Sequence, residues 1–202
     1  MTAGVLGALD VPVHSEPYRV DAAATIAYAR ATNDDNPAHL TGRLAPPVFA
    51  VVPALKTLVR AKRLAMDAFT LHGEHDIRFH RPIVPGMTLT VEARLVGVRT
   101  TPAGTTLIVH GLCTMAFVSR AVVAAACATD SRRLKRLAVR FSNLFMMRPG
   151  QRLLTTIWRA GGDGGRRRFG CEAADPAGTI VIRHGWAEVD DAAEGAETWR
   201  NR

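Results

Sequence analysis

The sequence predicts an α+β fold in which curved antiparallel sheet wraps two long central helices, one in each of two copies of a repeated unit. Three observations predict it. The series helix, strand, Pro-Gly, strand, Pro-Ala-Gly-Thr, strand runs through the chain twice. Apolar and polar residues alternate at period two within the strand segments. The second long helical segment is apolar almost all round, as a helix enclosed on every side is.

The first copy opens with a prelude. Asp21 is placed to cap a helix over 22–32, and Asn33-Asp34-Asp35-Asn36-Pro37 supplies the turn-forming residues that end it. A helical segment over 47–66 leads to Asp76-Ile77-Arg78-Phe79-His80, which alternates as a strand. After Pro85-Gly86, the residues Leu89, Val91, Ala93 and Leu95 alternate with Thr90, Glu92 and Arg94. The turn Pro102-Ala103-Gly104-Thr105 then feeds Leu107-Ile108-Val109.

The second copy repeats the series with a helix over 111–128, then Val139-Arg140-Phe141, Pro149-Gly150 and a strand over 153–158. A Gly- and Arg-rich turn follows, and Pro176-Ala177-Gly178-Thr179 leads into Ile180-Val181-Ile182. One further strand, Gly185-Trp186-Ala187-Glu188-Val189, belongs to this copy alone.

The helix over 111–128 is rich in small side chains, among them Ala116, Ala121, Ala124, Ala125 and Ala126. A long buried helix gripped by a curved antiparallel sheet is the hot-dog arrangement, and two copies make a double hot-dog. Only His110 separates the strand that closes copy one from the helix that opens copy two. The expected division is therefore an N-terminal repeat at 1–110 without its last strand, a C-terminal repeat at 111–190 without its first segment, and a polar tail at 191–202. Such an incomplete double unit leaves a strand edge whose N–H and C=O groups pair readily with a second chain. A homodimer or higher oligomer is expected.

Composition narrows the function classes. At 48% hydrophobic and 22% charged, the chain is neither disordered nor collagen-like. Its longest strongly apolar run, 121–128, is far short of the ~20 residues that cross a bilayer, and no basic region precedes the N-terminal apolar stretch. Cys113, Cys127 and Cys171 have no CxxC spacing, so neither a disulfide framework nor a metal site is expected. The reading is a cytoplasmic protein with no cofactor and no membrane partner.

The net charge of +8 is concentrated between Asp130 and Gly170, where eleven Lys or Arg face only Asp130 and Asp163. Arg136 and Arg140 alternate with apolar residues, as on the solvated face of a sheet. No helix-turn-helix, finger or aromatic RNA-binding motif accompanies the charge, so nucleic acid is not the expected partner.

The sharpest chemical signal is Asp34-Asp35-Asn36-Pro37-Ala38-His39. An acid and an imidazole five residues apart, across a Pro-stiffened turn leaving a helix, can converge on one water and move its protons. The same residues also suit a plain helix C-terminal turn. His110-Gly111, at the start of the apolar helix, is the second signal. Free N–H groups there, with no Cβ on Gly111, meet the needs of an oxyanion hole, or Gly111 simply eases entry into the helix. Ser119, eight residues on, falls on roughly the face of Gly111, although a core serine bonding its own helix carbonyl is the commoner case. His72, His75 and His80 read as solvated strand histidines, and Gly161-Gly162-Asp163-Gly164-Gly165 as a hairpin loop.

At these residues the chain resembles the MaoC-like dehydratases, the (R)-specific enoyl-CoA hydratases called hydratase 2. Their pattern is roughly Gly-Asp-x-Asn-Pro-x-His after a helix, then His-Gly opening the hot-dog helix. Asp34, Asn36, Pro37 and His39 match, Asn33 stands where the glycine would, and His110-Gly111-Leu112-Cys113-Thr114 is similar to the helix start. Ser119 falls where some members place a pocket serine.

The resemblance implies a two-repeat member without a cofactor. Asp34 and His39 would activate water for addition to a trans-2-enoyl thioester, or remove it from an (R)-3-hydroxyacyl thioester. Gly111 would hold the thioester carbonyl, with His110, Ser119 and Asn36 as further substrate-binding residues. The substrate would be carried on CoA or on an acyl carrier protein. A non-catalytic hot-dog protein that binds acyl thioesters or a partner subunit is the competing expectation, because His39 lies in copy one and Gly111 lies 72 residues later in copy two.

Overall fold

The prelude forms as its caps dictate. The computed structural model of the chain describes residues 7–65, 73–101, 104–107, 113–142 and 152–191. Two short strands, β1 (Val13–His14) and β2 (Tyr18–Arg19), precede helix α1 (Ala22–Ala31), which Asp21 caps by accepting from the Ala24 N–H at 3.3 Å. At its other end the N–H of Asp34 donates to the Ala29 carbonyl and that of Asn33 to the Arg30 carbonyl, with Asn33 at φ +52°. This is a Schellman closure, and Asn is the residue after Gly that best tolerates the left-handed position it requires. A single turn of helix, α2 (Pro37–Leu40), follows. A 3-10 turn at Pro47–Ala50 then runs into α3 (Val51–Ala65).

Strand β3 (Glu74–Arg78) comes next, then β4 (Thr88–Leu89), β5 (Glu92–Ala93) and the hairpin of β6 (Val98–Thr101) with β7 (Gly104–Leu107). The alternation from Leu89 to Leu95 predicts one strand, but the chain forms two short ones, β4 pairing with β2 and β5 with β1. The break lies in the partner segment. Pro17 has no N–H to give, and the Ser15 hydroxyl takes the Val91 N–H that a strand carbonyl would otherwise receive.

The second half holds the main layer. Helix α4 (Cys113–Ala126) leads through a turn and a 3-10 segment (Ser131–Arg133) into β8 (Leu134–Phe141). Strands β9 (Leu154–Asp163), β10 (Arg166–Ala174) and β11 (Ile180–Asp190) complete a five-stranded antiparallel sheet of order β3-β8-β11-β10-β9. The glycine-rich segment is the tight β9–β10 hairpin, with Asp163 opposite Arg166. The strand after α3 thus pairs with the strand after α4, Glu74 opposite Arg140 and Arg78 opposite Arg136. This is the curved antiparallel sheet around a helix that defines the hot-dog fold.

The sheet's inner face closes on α4. Val118, Val122, Val123 and Ala126 pack against Leu137, Val139, Ala173, Val181, Ile182, Ala187 and Val189, and Val48 and Val51 join from the first half. To bend that far, β11 breaks step with β8 between Arg183 and Trp186, next to His184 at φ +51°. Gly185 faces Cys171 at this bend, where a Cβ would sit 2.6 Å from the Cys171 carbonyl oxygen. Of the two long helices, α4 is the more deeply buried, but it is not enclosed on every side as the sequence predicts, since Ala124 and Ala125 are exposed. Helix α3 buries Leu58 and Ala61 against Val13 and Ala93 but leaves Val52, Val59 and Leu64 outward.

The outer face carries the basic segment. Arg136 donates two hydrogen bonds to the Asp76 carboxylate across the β3–β8 pair and lies 4.2 Å from the centre of the Trp186 ring. Lys135 and Arg166 reach Asp190, and Arg166 and Arg168 reach Glu188. The excess of arginine on β8 and β10 is answered by carboxylates on β3 and β11. His80 is exposed as expected, but His75 is not a solvated strand histidine: it is buried, in register with Val139 and in phase with the inward-packed Ile77 and Phe79. His72, Pro102-Ala103, Ile108-Val109, Pro149-Gly150 and the tail beyond Asp191 lie outside the described residues. Among the described residues no helix is long and apolar enough to cross a membrane.

Leu137 is fully buried at the centre of this layer, whereas Leu154 on β9 is exposed. Leu137→Ala is expected to cost ~2–5 kcal/mol in urea denaturation. Leu154→Ala is expected to stay within about 0.5 kcal/mol of the parent.

Candidate active site

Three local bonds shape the loop that follows α1. The Asn36 N–H donates to Asp34 Oδ1 at 3.0 Å, which is an Asx turn. The Asn36 side-chain oxygen accepts from the Ala38 N–H at 3.0 Å and caps α2, whose first residue is Pro37. With the chain turned twice in six residues, His39 points back at the acid, and its Nδ1 lies 2.7 Å from Asp34 Oδ2. Asp34 is 7% exposed and His39 1%.

The loop is closed from the other half of the chain. His39 Nε2 lies 2.8 Å from the Ser131 hydroxyl, and the Asn36 Nδ2 donates to the Thr129 carbonyl at 2.6 Å. Asp35 and Arg120 add an exposed ion pair at 3.5 Å. Ala128 and Thr129 both take left-handed backbone angles, φ +50° and +62°, and for a β-branched threonine that is a strained conformation. The Thr129 N–H folds back onto the Val123 carbonyl, so the contact lies at the C-terminal end of α4. At 1.5 Å per residue, Cys113 opens that helix ~20 Å away.

The electrostatics of the pair follow from this setting. Burial alone pushes the Asp34 carboxyl up, but the hydrogen bonds from His39 and the Asn36 N–H, with the fields of His39 and Arg120, outweigh it. The pKa is held below its ordinary value of 3.8. Burial pushes the Cys127 thiol up to about 12 and that of Cys171 up to about 11, so neither serves as a nucleophile at neutral pH.

A model of the MaoC like domain matches residues 101–177. A second model, described as FAS1-like, dehydratase domain region, matches residues 9–125, more than half of the chain and the part that holds Asp34 and His39. The chain belongs to the FAS1-like dehydratase domain family. Three solved structures share its fold at low identity. A MaoC-like dehydratase has 16% identity and a TM-score of 0.73, covering 93% of this chain and 100% of its own. A MaoC-like dehydratase from Phytophthora capsici has 17% identity and a TM-score of 0.70, over 96% and 99%. The peroxisomal multifunctional enzyme type 2 of Drosophila melanogaster has 18% identity and a TM-score of 0.68, covering 89% of this chain but 48% of that larger protein. No curated protein matches the chain in sequence.

Set against the dehydratase pattern, the residues predicted from the sequence fare differently. Asp34 and His39 meet. Asn33, in the place of the pattern's glycine, takes the left-handed angle that position needs. Asn36 does not present its amide to open space, because both ends of it are spent on Ala38 and Thr129. Ser119 is buried and does not bond its own helix carbonyl, the arrangement commonest for a core serine. Among the described residues its hydroxyl has no hydrogen-bond partner. His110 and Gly111 lie outside the described residues.

A hollow of about 310 Å³ opens on the outer sheet face among Arg78, His80, Lys135, Arg136 and Arg166, and none of the predicted site residues lines it. Sequence reasoning missed Ser131 and Thr129. No spacing rule joins residues 92 or 93 positions apart; the only local signal was a polar Thr-Asp-Ser run at the end of an apolar helix.

Because the folded pKa of Asp34 is depressed, its ionised form stabilises the fold above the ordinary carboxylate value. That contribution is lost as pH falls through the folded value. Asp34→Asn is expected to cost about 1–3 kcal/mol at neutral pH. Urea unfolding of both proteins down to about pH 3 is expected to show the gap narrowing as the wild-type carboxyl protonates.

Proposed function

We propose that the chain is a hydro-lyase that adds water across the double bond of a trans-2-enoyl thioester, and in reverse dehydrates an (R)-3-hydroxyacyl thioester. The observation that carries this reading is the buried Asp34–His39 contact at 2.7 Å, on a loop built by the family's own Asp-x-Asn-Pro-x-His pattern. Asp34, kept ionised, orients the imidazole through Nδ1–H and stabilises positive charge on the ring. His39 then serves as the base that accepts the proton released by the attacking water. Thioester chemistry needs no metal or organic cofactor for this step, since the carbonyl itself delocalises the developing charge.

The family pattern would give that carbonyl to the backbone at His110-Gly111, but that segment precedes Cys113, ~20 Å along α4 from the pair. The reading therefore rests on Asp34 and His39, with Ser119 and its spare hydroxyl assigned to the acyl chain or thioester. The acyl carrier is CoA or an acyl carrier protein. Self-association belongs to the same reading. Strand β9 is the outer edge of the five-stranded sheet, and Leu154 and Trp158 on it are exposed at 68% and 44%.

One observation favours a second reading. Both imidazole nitrogens are engaged, and the pair is docked at the end of α4 remote from Cys113. A protein that binds acyl thioesters or a partner subunit without turning substrate over would keep such a pair as a brace.

Hydration of crotonyl-CoA by the purified protein separates the two. Asp34→Asn and His39→Ala are each expected to lower turnover by ~10²–10⁴-fold while the protein still melts cooperatively. Turnover equal to that of the parent would reduce the motif to a turn. Light scattering at micromolar concentration is expected to show a dimer. Replacing Leu154 and Trp158 together with lysine is expected to shift it to monomer.

A further inference from the structure

We propose that Ser131 is the residue through which protons reach and leave His39, completing an Asp34–His39–Ser131 relay assembled from both halves of the chain. The proposal rests on the hydratase reading of Asp34 and His39 and deepens it.

The imidazole has two nitrogens, and both are accounted for. Nδ1 faces Asp34 Oδ2 at 2.7 Å, and Nε2 faces the Ser131 hydroxyl at 2.8 Å, with the ring only 1% exposed. An ionised Asp34 accepts only, so Nδ1 carries the hydrogen; in the neutral ring that a base requires, Nε2 then accepts and Ser131 donates to it. A water cannot touch either nitrogen without first displacing one of these partners. Ser131 is therefore the outermost atom group of the path, itself 7% exposed.

Its placement is held by several independent contacts. Ala128 and Thr129 stand in left-handed conformations, the Asn36 amide grips the Thr129 carbonyl, and the Asp130 carboxylate accepts from the Arg132 N–H to cap the 3-10 turn that Ser131 begins. A turn that serves only to leave a helix does not require two adjacent strained residues, and strain of this kind persists where the surroundings fix it.

In the forward direction, a water resting against Ser131 forms its bond to the β-carbon of the enoyl thioester. Its proton passes to the Ser131 oxygen as the Ser131 proton passes to His39 Nε2, and the π electrons move into the thioester as an enolate. The path then runs backwards: His39 returns a proton to Ser131 and Ser131 gives one to the α-carbon. The sum is one water added, with His39 and Ser131 restored.

The test uses Ser131→Ala and Ser131→Thr in the full chain, with two readouts. The first is carbethoxylation of His39 by diethyl pyrocarbonate, followed by mass spectrometry of the peptide. The second is kcat and KM for crotonyl-CoA. Wild-type His39 is expected to resist the reagent, and Ser131→Ala to raise its rate of modification at least about tenfold by uncovering Nε2. Ser131→Ala is expected to lower kcat by ~10²-fold or more with KM nearly unchanged. Ser131→Thr, which keeps the hydroxyl, is expected to restore both protection and most of kcat. An unchanged kcat in Ser131→Ala overturns the relay, and a raised kcat overturns it in favour of Ser131 as a plug on the imidazole. A His39 that stays equally protected shows that Ser131 does not cover it. A wild-type protein inert toward enoyl thioesters overturns the hydratase reading and with it the relay, whereas loss of activity in His39→Ala but not in Ser131→Ala overturns the relay alone.

Discussion

Helix α4 turns a broad apolar face inward, with Arg120 and the small Ala124 and Ala125 on its outward side, and most of the architecture answers the need to cover that face. Val118, Val122, Val123 and Ala126 form it, while Ala124 and Ala125 stay exposed. A flat sheet covers a narrow strip of a helix; covering so broad a face takes a sheet that curls. The register breaks around Arg183–Trp186 and Cys171–Ala173 are where the curl is made, and Gly185 is small because the two strands press together there. Four strands of the second half do not complete the layer, and β3 from the first half supplies the fifth. The acid-imidazole loop then closes over the end of the helix, so the packing constraint and the chemistry meet at Ser131.

Much of this was legible from residues alone because it depends on short-range rules. Period-two alternation marked β3 and the end of β8, the all-round apolar run marked α4, and Asp21 and Asn33 marked the ends of α1. Pairings set by distant partners were not legible. The alternation from Leu89 to Leu95 is a sound strand signal, yet the interruption at Pro17 lies over seventy residues away, and nothing in 89–95 itself announces it. His75 is in phase with the apolar Ile77 and Phe79, and the histidine's own polarity hid the fact that it shares their inward face. The acid and imidazole were readable because their contact spans five residues. Ser131 was not, because only the closed fold brings copy two's turn against copy one's loop.

The distribution of charge teaches the same lesson. Eleven basic residues against two acids between Asp130 and Gly170 look like a binding surface in one dimension. In three dimensions their partners, Asp76, Glu188 and Asp190, come from strands on either side. The ladder of ion pairs, with Arg136 and Arg168 over the Trp186 ring, makes the outer face a cohesive surface of its own.

The β3–β8 pairing has a consequence for how the chain comes into being. During synthesis, residues 74–78 leave the ribosome sixty residues ahead of the strand they pair with. Until β8 follows, β3 has no ladder in this sheet, and Val48 and Val51 await the helix they pack against. The N-terminal half therefore waits in an incomplete state, and the slow step of folding is the long-range closure that joins the two halves. A nascent chain with an open strand and an uncovered apolar helix is the kind of intermediate that chaperones hold and that misfolding exploits.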